Sequence, residues 1–268
     1  MKKTTWPLGM IVPVQDPTPF SPFSPPDWPA ALKEVARAGY QVVELAITDP
    51  TLVDPQKVER ELVAAGLRLS SLTTGQAAGK EGLSLASPDE KVRRRAIERL
   101  QAHMALAAPH QAVVIVGLLR GASGDPEVLV ESLQECTRFS QEVKLALEPL
   151  NRRESRLVNT VHQALEVLER VGAENLGLLL DTYHVHLEEG RWEEAFRVAG
   201  DRLFHLHLAD DERQVPGYGK LPFPRLVEAL QEMGYQGALV LESLPKPSPQ
   251  AMLEFPRLAA QVLYGNGS

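Results

Sequence analysis

The chain has 268 residues, of which 44% are hydrophobic and 24% are charged, a composition typical of a globular protein with a sizeable core. Its formal net charge of −7 argues against nucleic acid as a main partner, because phosphate binding requires a basic surface. The single cysteine, Cys136, excludes an internal disulfide and a cysteine-rich zinc site. Its place in the helix-like run 128–144 predicts a small buried side chain rather than a reactive thiol.

The first residues, MKKTTWPLGMIVPV, have the basic start and the apolar run of a signal peptide but lack its other features. Pro7 and Pro13 interrupt the apolar run, and Gln15-Asp16-Pro17 follows where a cleavage site would carry small residues. We therefore interpret this segment as a first β-strand. No stretch approaches the ~18 apolar residues of a membrane span, so we expect a cytoplasmic protein with no membrane partner.

Short apolar runs alternate with longer amphipathic runs along the chain, a pattern typical of repeated strand–helix units and a parallel sheet. We predict eight strands: Leu8–Val12, Val42–Ala46, Leu67–Leu72, Ala112–Val116, Val143–Glu148, Leu176–Asp181, Leu203–Leu208 and Ala238–Glu242. Eight such strands in a chain near ~250 residues predict an α/β fold of the (β/α)₈ TIM-barrel type. No linker or change in composition divides the sequence, so we assign residues 1–268 to a single barrel domain.

Glycines and capping residues mark the helix ends in chain order. The helix predicted at Trp28–Ala38 ends at Gly39, and the one at Pro55–Ala65 ends at Gly66, where glycine commonly closes a helix. Further helices are predicted to begin near Ser87 and Asp125 and to cover Val161–Val171 and Pro222–Met233. The proline-rich stretch 13–29 is interpreted either as a loop over the barrel mouth or as a plain connector.

Each of the last four predicted strands has a residue that can bind a metal ion at its end or next to it. These residues are Glu148, Asp181, His207 and Glu242, separated by 33, 26 and 35 residues, or about one strand–helix unit each. Because the carboxyl ends of barrel strands form the active-site face, we expect the four side chains to meet there. Three carboxylates so close together would repel one another unless a cation lay between them. The alternative interpretation is that lysines or arginines pair with them as salt bridges.

Three carboxylates and one imidazole suit Mn²⁺, Mg²⁺ or Co²⁺, with Zn²⁺ as a further alternative. In a ring of eight strands, Glu148 on the fifth and Glu242 on the eighth would flank a ligand bound to the metal. Two carboxylates beside a polarised carbonyl can remove a proton from one face of a carbon and return one at another face or position. The predicted chemistry is therefore isomerisation or epimerisation through an enediolate.

Four segments in the second half of the chain resemble a known family. They are LALEPLNRRESRLVNT (145–160), LDTYHVHLEEG (180–190), HLHLADDERQVPGYGKLPF (205–223) and GYQGALVLES (234–243). They resemble the ketose 3-epimerases, the D-tagatose/D-psicose 3-epimerase group of the xylose-isomerase-like TIM-barrel superfamily of sugar isomerases and epimerases. The resemblance covers most of residues 140–245.

This resemblance implies roles for seven residues. The family's metal positions match Glu148, Asp181, His207 and Glu242, and its acid/base pair matches Glu148 and Glu242. Its substrate-binding positions match Glu154, His184 and Arg213, although the residues alone also allow a structural or surface role for each of these three. The family further implies one divalent ion, with Mn²⁺ preferred over Co²⁺, Mg²⁺ and Zn²⁺, a small sugar or hydroxy-ketone substrate, and a homodimer or homotetramer.

Two regions depart from the family pattern. Ketose 3-epimerases usually carry aromatic residues after strands one and four, where this chain has Ile11-Val12-Pro13 and Leu118-Leu119-Arg120. We therefore predict an aliphatic pocket wall, which leaves a shorter, modified or different polyol open as the substrate. Outside the predicted ligand set, Glu44 is interpreted either as a partner of a metal ligand or substrate or as a structural residue, and His205 as packed inside the barrel.

Other activities of the superfamily remain alternatives. Hydroxypyruvate isomerases and inosose isomerases or dehydratases use closely similar sites. An abasic-site endonuclease is less favoured, because such enzymes bind three zinc ions with additional histidines, and strands three and four here end in Ser71–Thr74 and Val116-Gly117. A non-catalytic metal- or sugar-binding barrel is also less favoured, since it would not need both flanking glutamates.

Overall fold

The computed structural model describes residues 6–265 of the chain. Within this range, eight parallel strands follow one another around a closed barrel, and the last strand pairs with the first. The strands are β1 Leu8–Pro13, β2 Val42–Ala46, β3 Arg68–Thr73, β4 Val113–Val116, β5 Leu145–Leu147, β6 Leu176–Asp181, β7 Leu203–Leu208 and β8 Leu239–Leu241. The predicted (β/α)₈ barrel is confirmed.

The helices lie between the strands and after the last one. They are α1 Trp28–Ala38, α2 Pro55–Ala65, α3 Gly75–Glu81, α4 Glu90–Ala107, α5 Pro126–Phe139, α6 Val161–Val171, α7 Thr182–Glu188, α8 Trp192–Ala199, α9 Phe223–Glu232 and α10 Pro249–Tyr264. The predicted bounds of α1, α2 and α6 are confirmed, and α9 is one residue shorter at each end than predicted. Helices α3, α7, α8 and α10 have no predicted counterpart. Between residues 6 and 265, no helix combines the length and apolar character needed to cross a membrane.

The helix ends follow signals in the sequence. Asp54, Asp89 and Asp125 each accept a hydrogen bond from a backbone N–H in the first turn of α2, α4 and α5. Gly39 and Gly66 adopt left-handed conformations, with φ of 104° and 69°, directly after α1 and α2. These residues fix where each helix stops and where the next strand enters the barrel.

Successive residues of each strand point to opposite faces of the barrel wall. Outward residues such as Leu145 and Leu180 join the main apolar core between barrel and helices. Two smaller apolar clusters lie on the inward face: Val113, Ile115, Ala146 and Leu179 form one, and Ile11, Ala46 and Val240 form the other. Each predicted metal ligand stands two residues after an inward-facing residue, so all four belong to the inward face.

The proline-rich stretch 13–29 reaches over the barrel mouth. The ring of Phe20 packs against the inward apolar cluster of β1, β2 and β8, and its centroid lies 4.2 Å from the guanidinium carbon of Arg213. Closer to β1, Asp16 accepts a hydrogen bond from the hydroxyl of Thr48 at 2.6 Å. These contacts confirm the interpretation of the stretch as a loop over the mouth.

Candidate active site

The last four strands bring the predicted metal ligands together at the carboxyl end of the barrel. Asp181 ends β6 and lies opposite His207 of β7 in the strand register. Glu148 and Glu242 each stand one residue beyond their strand, yet their backbone N–H groups still donate to carbonyls of the neighbouring strands, at 3.1 and 3.0 Å. All four side chains are buried. The four residues therefore meet as expected, while their role as ligands stays a prediction.

Two histidines border the three carboxylates. Oxygens of Glu148, Asp181 and Glu242 group with a ring nitrogen of His184, and these ligand atoms all lie within 4.8 Å of one another. The predicted ligand His207 belongs to a second, adjoining group on β2 and β7, and its Nδ1 lies 3.4 Å from Glu242 Oε2. The position of the proton on each ring decides which histidine can offer a lone pair to a cation.

The surroundings of His207 leave its Nδ1 free to bind a cation. Its Nε2 lies 3.0 Å from Glu44 Oε2, and because an ionised carboxylate only accepts hydrogen bonds, Nε2 carries the proton. The Nδ1 atom is buried and has no hydrogen-bond partner among the described residues. Burial opposes a charge on this ring, but the carboxylates of Glu44 and Glu242 raise the pKa of His207. A cation beside Glu242 would take the place of a second proton on Nδ1.

The surroundings of His184 favour the opposite tautomer. The amide nitrogen of Asn151 lies 2.8 Å from His184 Nδ1, which therefore accepts the hydrogen bond. Burial lowers the pKa of His184 to about 3, so the ring is neutral with its proton on Nε2. This N–H faces Glu148 and Asp181, at 3.8 Å from each. His184 thus offers a hydrogen-bond donor to the site rather than a metal-binding lone pair.

Unpaired polar atoms fit a cation at this position. Glu148 Oε1 and Asp181 Oδ2 are buried and, like His207 Nδ1, have no hydrogen-bond partner in the part of the chain that the structure describes. Buried polar atoms are normally paired, so three unpaired atoms on three neighbouring residues indicate a ligand that would satisfy them. Three acceptor atoms that converge in this way suit a metal ion.

The pKa shifts of the carboxyl groups also indicate a cation at this position. Burial and the nearby charge of Glu242 raise the pKa of Glu148 well above its usual value and that of Asp181 to about 8. Burial acts on Glu242 too, but His207 and Arg213 lower the pKa of this carboxyl. Without a cation the site therefore resists full ionisation, whereas a divalent ion would favour the carboxylate forms of these groups.

Arg213 joins Glu154, a predicted substrate-binding residue, to Glu242, a predicted metal ligand. Its Nη1 donates to Glu154 Oε1 at 2.9 Å and its Nη2 to Glu242 Oε2 at 2.8 Å. The guanidinium carbon lies 4.2 Å from the ring centroid of Phe20 and 5.2 Å from that of Tyr183. The structure thus brings Glu154, His184 and Arg213 to the same mouth as the carboxylates.

Asn151 is a residue of the site that the sequence analysis missed. It is buried, and its amide group donates to Glu154 Oε1 at 3.0 Å as well as to the ring of His184. One side chain therefore orients two of the three predicted substrate-binding residues. Asn151 lies within the segment that resembles the ketose 3-epimerases, but no periodicity or spacing indicates its partners.

Asp210 is a second missed residue, and it shapes the loop that carries Arg213. Its buried carboxylate accepts hydrogen bonds from the backbone N–H groups of Gly217, Gly219 and Leu221, at 2.9 to 3.0 Å. A Cβ atom at Gly219 would lie 2.3 Å from an Asp210 oxygen, so the backbone can approach this closely only at a glycine. The loop is thereby folded back so that Arg213 points into the mouth.

Below the carboxylates, Glu44 joins a buried polar network inside the barrel. Its Oε2 accepts from Ser71 Oγ at 2.6 Å and lies 3.2 Å from His205 Nε2, in addition to its contact with His207. The packing of His205 inside the barrel is confirmed. Of the two interpretations of Glu44, the structure supports the partner of a predicted metal ligand.

The expected aliphatic wall needs two corrections. An aromatic ring does reach the mouth from the connection after β1, because Phe20 packs beside Arg213 although Ile11-Val12-Pro13 has no aromatic residue. Arg120, expected in the wall after β4, instead turns its side chain into backbone carbonyls of a neighbouring loop. Sequence position near a strand end did not indicate either orientation, because both depend on the course of a loop.

Comparison with known proteins gives the family. A family model described as the xylose isomerase-like TIM barrel matches residues 32–258. D-psicose 3-epimerase of Ruminiclostridium cellulolyticum is 32% identical over 230 residues, which cover 81% of this chain and 78% of that enzyme. A probable ketose 3-epimerase of Synechocystis sp. is 32% identical over 228 residues, covering 79% and 76%. A 40% identical match to D-psicose 3-epimerase of Enterocloster bolteae is more local and covers 44% of this chain and 40% of that enzyme.

Solved structures share the same fold. A structure of L-ribulose 3-epimerase has a TM-score of 0.82 at 23% identity, covering 97% of this chain and 95% of that one. A D-psicose 3-epimerase from Clostridium cellulolyticum H10, solved with D-tagatose, has a TM-score of 0.79 at 24% identity, covering 96% and 99%. The chain therefore belongs to the xylose isomerase-like TIM barrel family and is an isomerase related to the ketose 3-epimerases.

Proposed function

We propose that this chain is a divalent-metal-dependent ketose 3-epimerase, with Mn²⁺ as the expected ion and Co²⁺, Mg²⁺ or Zn²⁺ as alternatives. The observation that carries the proposal is the pair of buried glutamates, Glu148 after β5 and Glu242 after β8, on either side of Asp181 and His207. The similar enzymes named as D-psicose and ketose 3-epimerases support the reaction type.

Four residues would hold the ion: Glu148, Asp181, His207 through Nδ1, and Glu242. Their buried unpaired atoms support this set, and the tautomers favour His207 over His184 as the nitrogen ligand. When bound, the ion polarises the substrate carbonyl and so acidifies the neighbouring C–H bond.

The two glutamates would move the proton. One glutamate removes the proton from C3 of the ketose, and the electron pair of the C–H bond becomes part of an enediolate. The other glutamate gives a proton to the opposite face of C3, which restores the ketose with inverted configuration. The reaction conserves protons. The substrate loses one proton and gains another, the first glutamate becomes protonated, and the second becomes a carboxylate.

Three further residues would orient the sugar. His184 Nε2–H and the guanidinium of Arg213 can donate hydrogen bonds to substrate oxygens, where charge develops during enolisation. Glu154 can accept a hydrogen bond from a hydroxyl group. The contacts of Asn151 with His184 and Glu154 support this arrangement, since they fix both side chains before substrate binds.

A substrate panel with matched variants tests the proposal. Metal-stripped protein, reloaded with Mn²⁺, would be incubated with ketohexoses, ketopentoses, hydroxypyruvate and inososes, and products would be identified by NMR. We expect a C3 epimer from at least one ketose. Glu148→Gln and Glu242→Gln should each lower kcat by at least about 10²-fold, the size of a general acid/base contribution. Glu166→Gln, an exposed change on α6, should leave kcat unchanged.

Two results would contradict the proposal. Conversion of only hydroxypyruvate or an inosose would assign one of the alternative activities of the superfamily. Full activity in both the Glu148→Gln and the Glu242→Gln variants would refute the acid/base pair.

A further inference from the structure

Arg120 is a buried cation that forms no ion pair with any carboxylate of residues 6–265. It ends the short turn Leu118–Arg120 after β4, and its side chain is fully buried. Burial lowers the pKa of Arg120 to about 10, so the guanidinium remains charged at neutral pH. The charges of Glu148 and Glu154 partly offset the cost of burying this cation. A buried charge that forms no ion pair is nevertheless costly, and an apolar side chain would fill the same space at a lower cost. Packing alone therefore does not account for an arginine here.

The guanidinium binds backbone carbonyls of two different loops. Its Nε and Nη2 donate to Leu157 O at 3.1 and 2.7 Å, and Nη2 also donates to Val158 O at 2.9 Å. Its Nη1 donates to Gly117 O, in its own turn, at 3.1 Å. Leu157 and Val158 belong to the connection between β5 and α6, residues 148–160, which we call the β5–α6 loop. Arg120 thus joins the end of β4 to this loop.

The β5–α6 loop adopts a strained conformation where Arg120 binds it. Val158 has a φ of 56°, in the left-handed region that β-branched residues rarely adopt. In this conformation its carbonyl accepts both from Arg120 and from the backbone N–H of Leu150, at 3.3 Å. Strained backbone persists only where surrounding contacts hold it, and the buried guanidinium is such a contact.

The same loop carries residues of the candidate site. Leu150, which closes the loop against Val158, directly precedes Asn151. Asn151 in turn orients His184 and Glu154 through its amide group. Arg120 is therefore linked to the barrel mouth by successive contacts. Its guanidinium binds the carbonyl of Val158, this carbonyl binds the backbone of Leu150, and the next residue, Asn151, binds the side chains of His184 and Glu154.

We propose that Arg120 is a positioning residue, whose guanidinium clamps the carbonyls of Leu157 and Val158 and so holds Asn151 and Glu154 in their places for substrate. Its effect on catalysis rests on the proposed epimerase function, whereas the clamp itself does not. Asp181, His207 and Glu242 lie outside the β5–α6 loop, and the backbone N–H of Glu148, its first residue, is held by Val116 O of β4 at 3.1 Å. We therefore expect the clamp to act on substrate contacts more than on the ion.

Hydrogen–deuterium exchange of the whole chain tests the clamp directly. In Arg120→Met, we expect amides of residues 150–158 to exchange at least about tenfold faster, as expected from the loss of a hydrogen bond to a charged group. Amides of α4 should exchange as in the wild type. Arg120→Lys keeps the charge but not the planar fork of donors, so it should give an intermediate increase. Arg156→Met, an exposed change in the same loop, is the matched control and should behave as wild type.

Two further readouts separate positioning from a general structural role. In Arg120→Lys, KM for the ketose should rise at least about tenfold. The dissociation constant for Mn²⁺ should stay within about twofold, because lysine keeps a positive charge near Glu148 and the backbone of Glu148 is held by β4. Unchanged exchange at 150–158 in both Arg120 variants would overturn the proposal, as would equally faster exchange throughout the chain. If Arg120→Met does not fold, Arg120→Lys decides by the same criteria. A wild type inactive on every ketose would refute the epimerase function and leave the exchange result intact.

Discussion

Replacement of Glu44 by glutamine tests how the barrel interior prepares His207 for a metal ion. Glu44 Oε2 receives hydrogen bonds from the side chains of His207, His205 and Ser71, at 3.0, 3.2 and 2.6 Å. Burial raises the pKa of Glu44, but the two histidines lower it to about 2, so this group is a carboxylate at neutral pH. Glutamine has nearly the same shape, and its amide oxygen can replace Oε2. The change therefore keeps the contacts and removes the charge.

The expected loss is in metal affinity rather than in folding. Partners that orient a metal-binding histidine typically change metal affinity by 10- to 100-fold when they are mutated. Because the amide oxygen of Glu44→Gln can still accept from His207 Nε2, we expect the lower end, about tenfold, or about 1.4 kcal/mol. The Tm should fall only modestly, because the amide oxygen keeps the three donors paired, whereas the amide nitrogen takes the place of Oε1, which is buried without a hydrogen-bond partner among residues 6–265.

Isothermal titration of metal-stripped protein with Mn²⁺ at neutral pH measures this loss. Glu34→Gln removes an exposed carboxylate from α1 and serves as the matched control, with unchanged affinity. An affinity of Glu44→Gln within twofold of the wild type would refute the reasoning that the Glu44 charge supports His207 as a ligand.

Three further predictions concern other parts of the molecule. Gly117→Ala would place a Cβ atom 2.6 Å from Glu148 Oε2, so kcat should fall on the order of 100-fold, and steady-state kinetics with an unchanged kcat would contradict this placement. The hydrogen bond from Thr48 lowers the pKa of Asp16 in the folded protein. The ionised Asp16 carboxylate therefore stabilises the fold at pH values above 3.8, the pKa of this group in the unfolded chain, and this stabilisation is lost as the pH falls through the lower pKa of the folded state. Asp16→Asn should therefore lower Tm at neutral pH and show a smaller loss of Tm on acidification than the wild type; parallel Tm–pH curves would be the contrary result. Burial raises the pKa of the Cys136 thiol to about 12, so a thiol reagent should label it only after denaturation, and rapid labelling of native protein would show that the site opens.

The barrel fold was predictable because the apolar runs, the helix-closing residues and the alternation within each strand all indicate repeated strand–helix units. The apolar runs and the helix-closing residues Gly39 and Gly66 fix the order and spacing of the strand–helix units. Period-two alternation then places Glu148 and Asp181 on the inward face, two residues after Ala146 and Leu179. This pattern is local in sequence, so no knowledge of loop geometry is needed to predict that strand-end side chains meet.

The remaining contacts of the site depend on loops and were not predictable in this way. Asn151 of the β5–α6 loop reaches His184 on α7, and Phe20 reaches Arg213 from a connection rich in proline. The course of such loops is set by close approaches and by backbone conformations that no periodicity reveals. Arg120 is an example. Its position after β4 predicts a residue of the pocket wall, whereas its side chain donates to backbone carbonyls of the β5–α6 loop, which is strained at Val158.

Solvent deuterium exchange tests the central claim most directly. Mn²⁺-loaded protein would be incubated in D₂O with its best ketose substrate, and the carbon-bound hydrogens would be followed by proton NMR. Proton abstraction by Glu148 and Glu242 predicts loss of the C3–H signal in both epimers with the wild type. In Glu148→Gln and in Glu242→Gln, the epimer whose C3 proton the replaced glutamate removes should keep its signal. Epimerisation without deuterium at C3, or exchange of both epimers in both variants, would contradict the account.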